Sequence, residues 1–211
     1  MDQRSFVIVG AGALSREVIS WIEHARELGM PATIKGYVAD PQHGLLSAHY
    51  NVPWLGGFSE HTPASSDEHI MAISNPLFKR PVAEQMLARQ AVFGTFIHPS
   101  AVVARTARLG RGCVVLPHAM ISADAVVEDF VTLNAHTSIG HDSRIGQHSN
   151  LSAHVDITGY VQVGEAVFFG SGARVLPKLS VGDNAKVGAG AVVMRSVPAN
   201  VTVYTAPARR L

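Results

Sequence analysis

The chain has 211 residues, 47% of them hydrophobic and 16% charged, with a formal net charge of +1 and eleven histidines. So even a balance gives no electrostatic case for nucleic acid or an anionic membrane surface as partner. One cysteine excludes an internal disulfide and points to the cytoplasm, and the apolar run near the start is too short for a signal peptide or a membrane span.

Two domains are expected, 1–94 and 95–211. In the first, residues 5–9 read as a buried strand, and Gly10-Ala11-Gly12 as a tight turn. Leu14, Val18, Ile19, Ile22 and Ala25 then recur at helical spacing from about Ala13 to Leu28. Further strands are expected at 33–38 and 70–73. A short one is expected at 52–55, inside a Pro-, Gly-, His- and Ser-rich stretch from 41 to 67. Pro81 to Gln90 reads as a helix with Pro81 at an early position. Strand, glycine turn, helix, strand opens a doubly wound α/β fold, here a reduced, Rossmann-like one. Gly10 and Gly12 supply two of the three glycines of a dinucleotide turn, which let backbone approach a phosphate at a helix N-terminus. A tight turn with no ligand is the alternative.

From Ile97 the register changes to six. Ile97, Val103, Leu109, Val115 and Ile121 begin a series of seventeen large apolar residues that runs without a miss to Val187 and Val193. Four positions after each sits a second residue, usually small or β-branched, such as Ala101, Ala107, Cys113 and Ala119. Neither a helix nor an ordinary strand repeats at six. Three hexads per triangular coil make a parallel β-helix of about 5.7 coils, on the order of 27 Å tall at the inter-strand spacing. Cys113 falls on an inward position and reads as filler.

With the interior apolar, chemistry must sit on corners, on faces or between chains. His118, His136 and His154, eighteen apart, stack on consecutive coils. Such a ladder either binds a metal or is a solvated or interface stripe, and in-line residues do not surround an ion. His141-Asp142 falls at a corner, where an adjacent carboxylate can fix the imidazole tautomer and raise its basicity.

The small α/β domain, the hexads, the run from Asn134 to His141-Asp142 and the tail Pro207-Ala208-Arg209-Arg210 together resemble a family of bacterial glycan enzymes. These are the sialic acid O-acetyltransferases and nucleotide-amino-sugar N-acetyltransferases. The resemblance implies a left-handed β-helix and a homotrimer with active sites between subunits. It implies acetyl-CoA as co-substrate, no metal, and a nucleotide-linked sugar as acceptor. By residue it implies His141 as general base, Asp142 orienting it and Asn134 near the acceptor. Gly159, Ser171 and Ala189 would meet the pantetheine, Arg209 the CoA phosphates, and Asn150 the thioester carbonyl as an amide donor. Gly10, Gly12, Ala13, Leu14, Asp40, Ser74 and Asn75 match the nucleotide-sugar positions; the family's usual glycine-histidine, double-aspartate and glycine-asparagine signatures are altered there.

Three competing expectations remain. One is a sialic-acid-type O-acetyltransferase with a non-nucleotide acceptor. Another is a metal-dependent hydratase resembling γ-type carbonic anhydrases, with His136 and His141 as ligands. The third is a scaffold without catalysis.

Overall fold

The computed structural model describes residues 3–206. It opens with strand β1 (Arg4–Val9), helix α1 (Ala13–Glu27), strand β2 (Ala32–Val38), strand β3 (Asp67–Met71) and helix α2 (Pro76–Ala88). The strands form one parallel sheet in the order β2-β1-β3. β1 lies in the middle, and Phe6, Val7, Ile8 and Val9 are all fully buried, as expected of a strand covered on both faces. α1 turns Leu14, Val18, Ile19, Ile22 and Ala25 inward. This is a small α/β unit rather than a full doubly wound domain. After β2 the chain spends residues 39–66 on loops and two short 3₁₀ turns, and after α2 it enters the solenoid instead of adding a strand.

Two local expectations are corrected. The strand at 52–55 shrinks to one bridge between Tyr37 and Trp54. Pro53 accepts from the Tyr37 N–H but has no N–H to return, so the ladder stops. α2 starts at Pro76, not Pro81: the Asn75 side chain caps the Leu77 N–H at 3.1 Å and Pro76 takes the first helical position. Pro81 therefore stands inside the helix.

The rest is a three-sided parallel solenoid of about six turns, built from eighteen two-residue strands in sheets of seven, six and five. The first face stacks Phe96–Ile97, Val114–Val115, Thr132–Leu133, Asn150–Leu151, Phe168–Phe169, Lys186–Val187 and Thr202–Val203. The second includes Ser138–Ile139 and the third Arg144–Ile145. Strand partners lie eighteen residues apart, as with Thr132 between Val114 and Asn150. Inward residues from Val115 to Val193 are buried, whereas Ile97, Val103 and Leu109 in the first coil are half-buried at the open end. Cys113 is buried, and burial pushes its thiol up to about 11.

The corners require left-handed backbone from non-glycine residues, with φ between 52° and 62°. Between the first and second faces these are His118, His136 and His154; between the second and third, Asp124, Asp142, Tyr160 and Lys178. Between the third and first they are Phe130, His148, Ala166 and Asn184. That conformation costs about 1–2 kcal/mol for an L-residue. It is offset by a bond from the corner N–H to the coil below, as from Asp142 to Ala123 and from Tyr160 to His141.

The α/β unit packs on the first face. Phe6, Phe93 and Phe96 share one apolar cluster with Val114, Leu116 and Phe130 of the solenoid. α1 reaches the histidine corner through Glu17–Asn134 and His24–His98 contacts. α2 reaches the Phe130 corner through Lys79 and through an Arg80–Glu165 ion pair. The lower part of that face is thereby covered and both its corners are touched, and the opposite corner, that of Asp142 and Tyr160, is left open.

Candidate active site

His141 stands on that open corner. Its Nδ1 lies 2.8 Å from Asp142 Oδ2. A carboxylate can only accept, so Nδ1 carries the proton and Nε2 keeps a free lone pair. The ring meets Tyr160 edge-on, with centroids 5.1 Å apart. Both members of the pair are exposed, with side-chain accessibilities of 57% and 40%. Adjacency in the chain becomes a real contact because the left-handed Asp142 turns its carboxylate back toward the imidazole.

The other expected residues are distributed rather than gathered. Gly159 lies directly on the His141 ring, one coil up. Asn134 sits on the histidine corner, donating to Glu17 Oε2 at 3.3 Å and accepting from Ala135 N at 2.6 Å. Ser171 and Ala189 are exposed on that same corner, higher up. Asn150 points outward on the first face beneath the α/β unit. It is 4% exposed, and its Oδ1 meets no donor among the described residues. It is therefore not brought to the His141 corner; six-fold spacing cannot show which face another domain will cover. Arg209 lies outside the described residues.

At the C-terminal ends of the sheet strands a cavity of about 190 Å³ gathers Gly10, Gly12, Ala13, Leu14, Ser74 and Asn75. Gly10 has φ +119°, and a side chain there would press on Ser15 and the Ala72 carbonyl. Ser15 Oγ donates to that carbonyl at 3.0 Å, tying the start of α1 to the end of β3. Asp40 does not line the cavity; its Oδ1 accepts from Phe58 N at 2.8 Å, which anchors the loop that forms one wall. His43, Phe58 and Phe78 complete the lining, with His43 and Phe78 ring centroids 4.7 Å apart. Loop residues 41–67 carry no periodicity, so nothing in the sequence marked His43 or Phe58.

The residues above His141 were legible in principle. Steps of eighteen from His141 reach Gly159, Pro177 and Arg195. Flanking them, Leu176 and Met194 are exposed apolar side chains, and Lys178 and Arg195 are exposed cations. The histidine ladder is real, with centroid spacings of 5.0 and 4.8 Å. His136 and His141 occupy different corners, and among the described residues no three His, Cys, Asp or Glu converge as metal ligands.

No protein-family model and no curated protein matches the chain. Solved structures do. PerB from Caulobacter crescentus, in complex with CoA and GDP-perosamine, is 30% identical with a TM-score of 0.81, over 97% of this chain and 96% of that one. The chain belongs to the hexapeptide-repeat sugar N-acetyltransferases. To that family also belongs the acetyltransferase domain of PglB from Neisseria gonorrhoeae FA1090, 26% identical with a TM-score of 0.85, over 99% of this chain and 100% of that one. That domain has also been solved with acetyl coenzyme A. WeeI from Acinetobacter baumannii AYE, 21% identical with a TM-score of 0.79 over 99% of this chain and 100% of that one, shares the fold. Membership makes this chain an acetyl-CoA-dependent enzyme, and no described helix is long and apolar enough to cross a membrane.

Proposed function

We propose that the protein moves an acetyl group from acetyl-CoA to the amino group of a nucleotide-linked sugar, in the cytoplasm, for surface-glycan synthesis. The observation that carries this reading is His141, held by Asp142 with Nε2 free. In the reaction Nε2 takes a proton from the acceptor amine as its nitrogen attacks the thioester carbonyl. The C–S bond then breaks, and the imidazolium returns the proton to the departing CoA thiolate.

Residues 1–94 serve the acceptor and the solenoid serves the donor. The cavity at Gly10–Leu14 and Ser74–Asn75 takes the nucleotide, with α1's N-terminus facing it. Asn134, next to α1, orients the sugar. For the donor, Leu176 and Met194 line an apolar track above His141, and Lys178 and Arg195 meet the CoA phosphates, with Arg209 from the tail. The acceptor cavity lies over the first face and His141 on the corner opposite, so one chain does not complete a site. Gly159 likewise stands on a different corner from Ser171 and Ala189. A closed trimer of left-handed β-helices, which brings the His141 corner of one chain to the histidine corner and acceptor domain of the next, unites both sets.

The test is CoA release with acetyl-CoA and a panel of nucleotide-linked amino sugars, with product fragmentation to separate N- from O-acetylation. His141→Asn is expected to lower kcat at least about 100-fold with acetyl-CoA binding unchanged. Near-normal turnover in that variant would remove His141 from the role.

A further inference from the structure

We infer that Gly159 and Tyr160 form a seat that holds the His141 imidazole in its working orientation, with Gly159 acting through the side chain it lacks. This rests on His141 being the base.

The glycines of the solenoid are crowded by different kinds of neighbour. A Cβ at Gly140, Gly146, Gly170 or Gly182 would run into backbone of the next coil; those glycines let coils stack. Gly159 differs. The three atoms nearest its missing Cβ are all in the His141 ring: Nε2 at 2.7 Å, Cε1 at 2.8 Å and Cδ2 at 3.2 Å. Its φ lies outside the left-handed region, so no left-handed strain opposes a side chain there. The glycine is needed only for the space that the imidazole fills.

Tyr160 supplies the rest of the seat. Its N–H donates to the His141 carbonyl at 3.0 Å, fixing the backbone from which the side chain springs. Its ring closes one side at 89° to the imidazole plane. Asp142 holds Nδ1 from another side. On an otherwise open corner, these contacts select one rotamer of a side chain that solvent would leave free. Orientation of the reacting lone pair is what such a constraint contributes, and displacement by about 1 Å can cost about 100-fold in rate. Gly159 and Tyr160 are positioning residues.

Gly159→Ala separates this seat from a plain structural role. The coil backbone is compatible with alanine, and the atoms in the way belong to a side chain that can swing aside, so the variant folds with wild-type thermal stability. Its kcat is expected to fall about 10- to 100-fold, while KM for acetyl-CoA and for the acceptor stays within about twofold. The proton NMR signal of the His141 ring, identified by its absence in His141→Asn, is expected to move, reporting the displaced ring directly. Tyr160→Phe, which keeps the ring, retains turnover, and Tyr160→Ala loses part of it. Full turnover in Gly159→Ala beside an inactive His141→Asn would overturn the seat and leave the base standing. A raised KM for acetyl-CoA with kcat and the His141 signal unchanged would also overturn it, making Gly159 a donor contact only. An active His141→Asn would instead defeat the base.

Discussion

Lys79 is the residue whose surroundings depart furthest from what its type prefers. It is fully buried, and its Nζ donates to the Phe130 carbonyl at 3.1 Å, Thr132 Oγ1 at 2.9 Å and the Ser149 carbonyl at 3.4 Å. Among the described residues no carboxylate pairs with it, and burial lowers its pKa from 10.5 to about 7. Between these values the unfolded chain binds a proton that the folded one does not, so stability rises with pH across that window. The Cys113 thiol works the other way above its ordinary value of 9, because burial makes the folded state hold its proton longer. The clean interval is therefore about pH 7.5 to 8.5, where the slope should approach 1 kcal/mol per unit. Urea unfolding of the wild type and of Lys79→Met measures it: the wild-type midpoint rises with pH, and the variant's stays flat. A flat wild-type profile would mean that the buried amine stays charged. Burial also lowers His61, His69, His98 and, to about 4, His148. Their contribution is fully present above about pH 6.5 and is lost on acidification toward the depressed values, outside the interval used for Lys79.

At the scale of the element, each coil depends on its neighbours, as in other stacked repeats. Ile139 is fully buried in the coil that carries His141, whereas Ile97 is half-buried in the first. Ile139→Ala should cost about 2–5 kcal/mol, and Ile97→Ala distinctly less, in the same denaturation assay; equal costs would mean that the end coil is as tightly packed as the middle. This hierarchy was readable from the register of six, because every inward position is fixed by one period and nothing interrupts it. The His141-Asp142 pair was readable for a related reason: the repeat places it on a corner, so exposure follows from counting. α2 was less legible. Asn75-Pro76 is a cap and first turn, but Pro81 gave a competing start signal, and tertiary packing of Lys79, Val82 and Met86 holds the helix through it. The surroundings of Asn150 and Asp40 were illegible for a third reason. Each has a side chain directed by a part of the chain remote in sequence, the α/β unit over the first face and the Phe58 loop, and no local pattern encodes that.

For the whole molecule, the decisive geometry is the opposition between the cavity proposed for the acceptor and the His141 corner. Neither half can be moved to the other without unpacking the cluster that joins Phe6, Phe96, Val114 and Phe130. In the proposed trimer each site takes its cavity from one chain and its imidazole from the next. Two dead variants can then repair one another. His141→Asn keeps the cavity, and Ser74→Trp, at an exposed cavity residue, blocks it while leaving His141 intact. When the two are unfolded together, mixed in equal amounts and refolded, random assembly pairs an intact cavity with an intact imidazole at about a quarter of the interfaces. The mixture should therefore recover about a quarter of wild-type turnover, although each variant refolded alone stays inactive. Assembly without recovery would place both halves of the site in one chain, and the acceptor would then have to reach around the solenoid from the first face to the opposite corner.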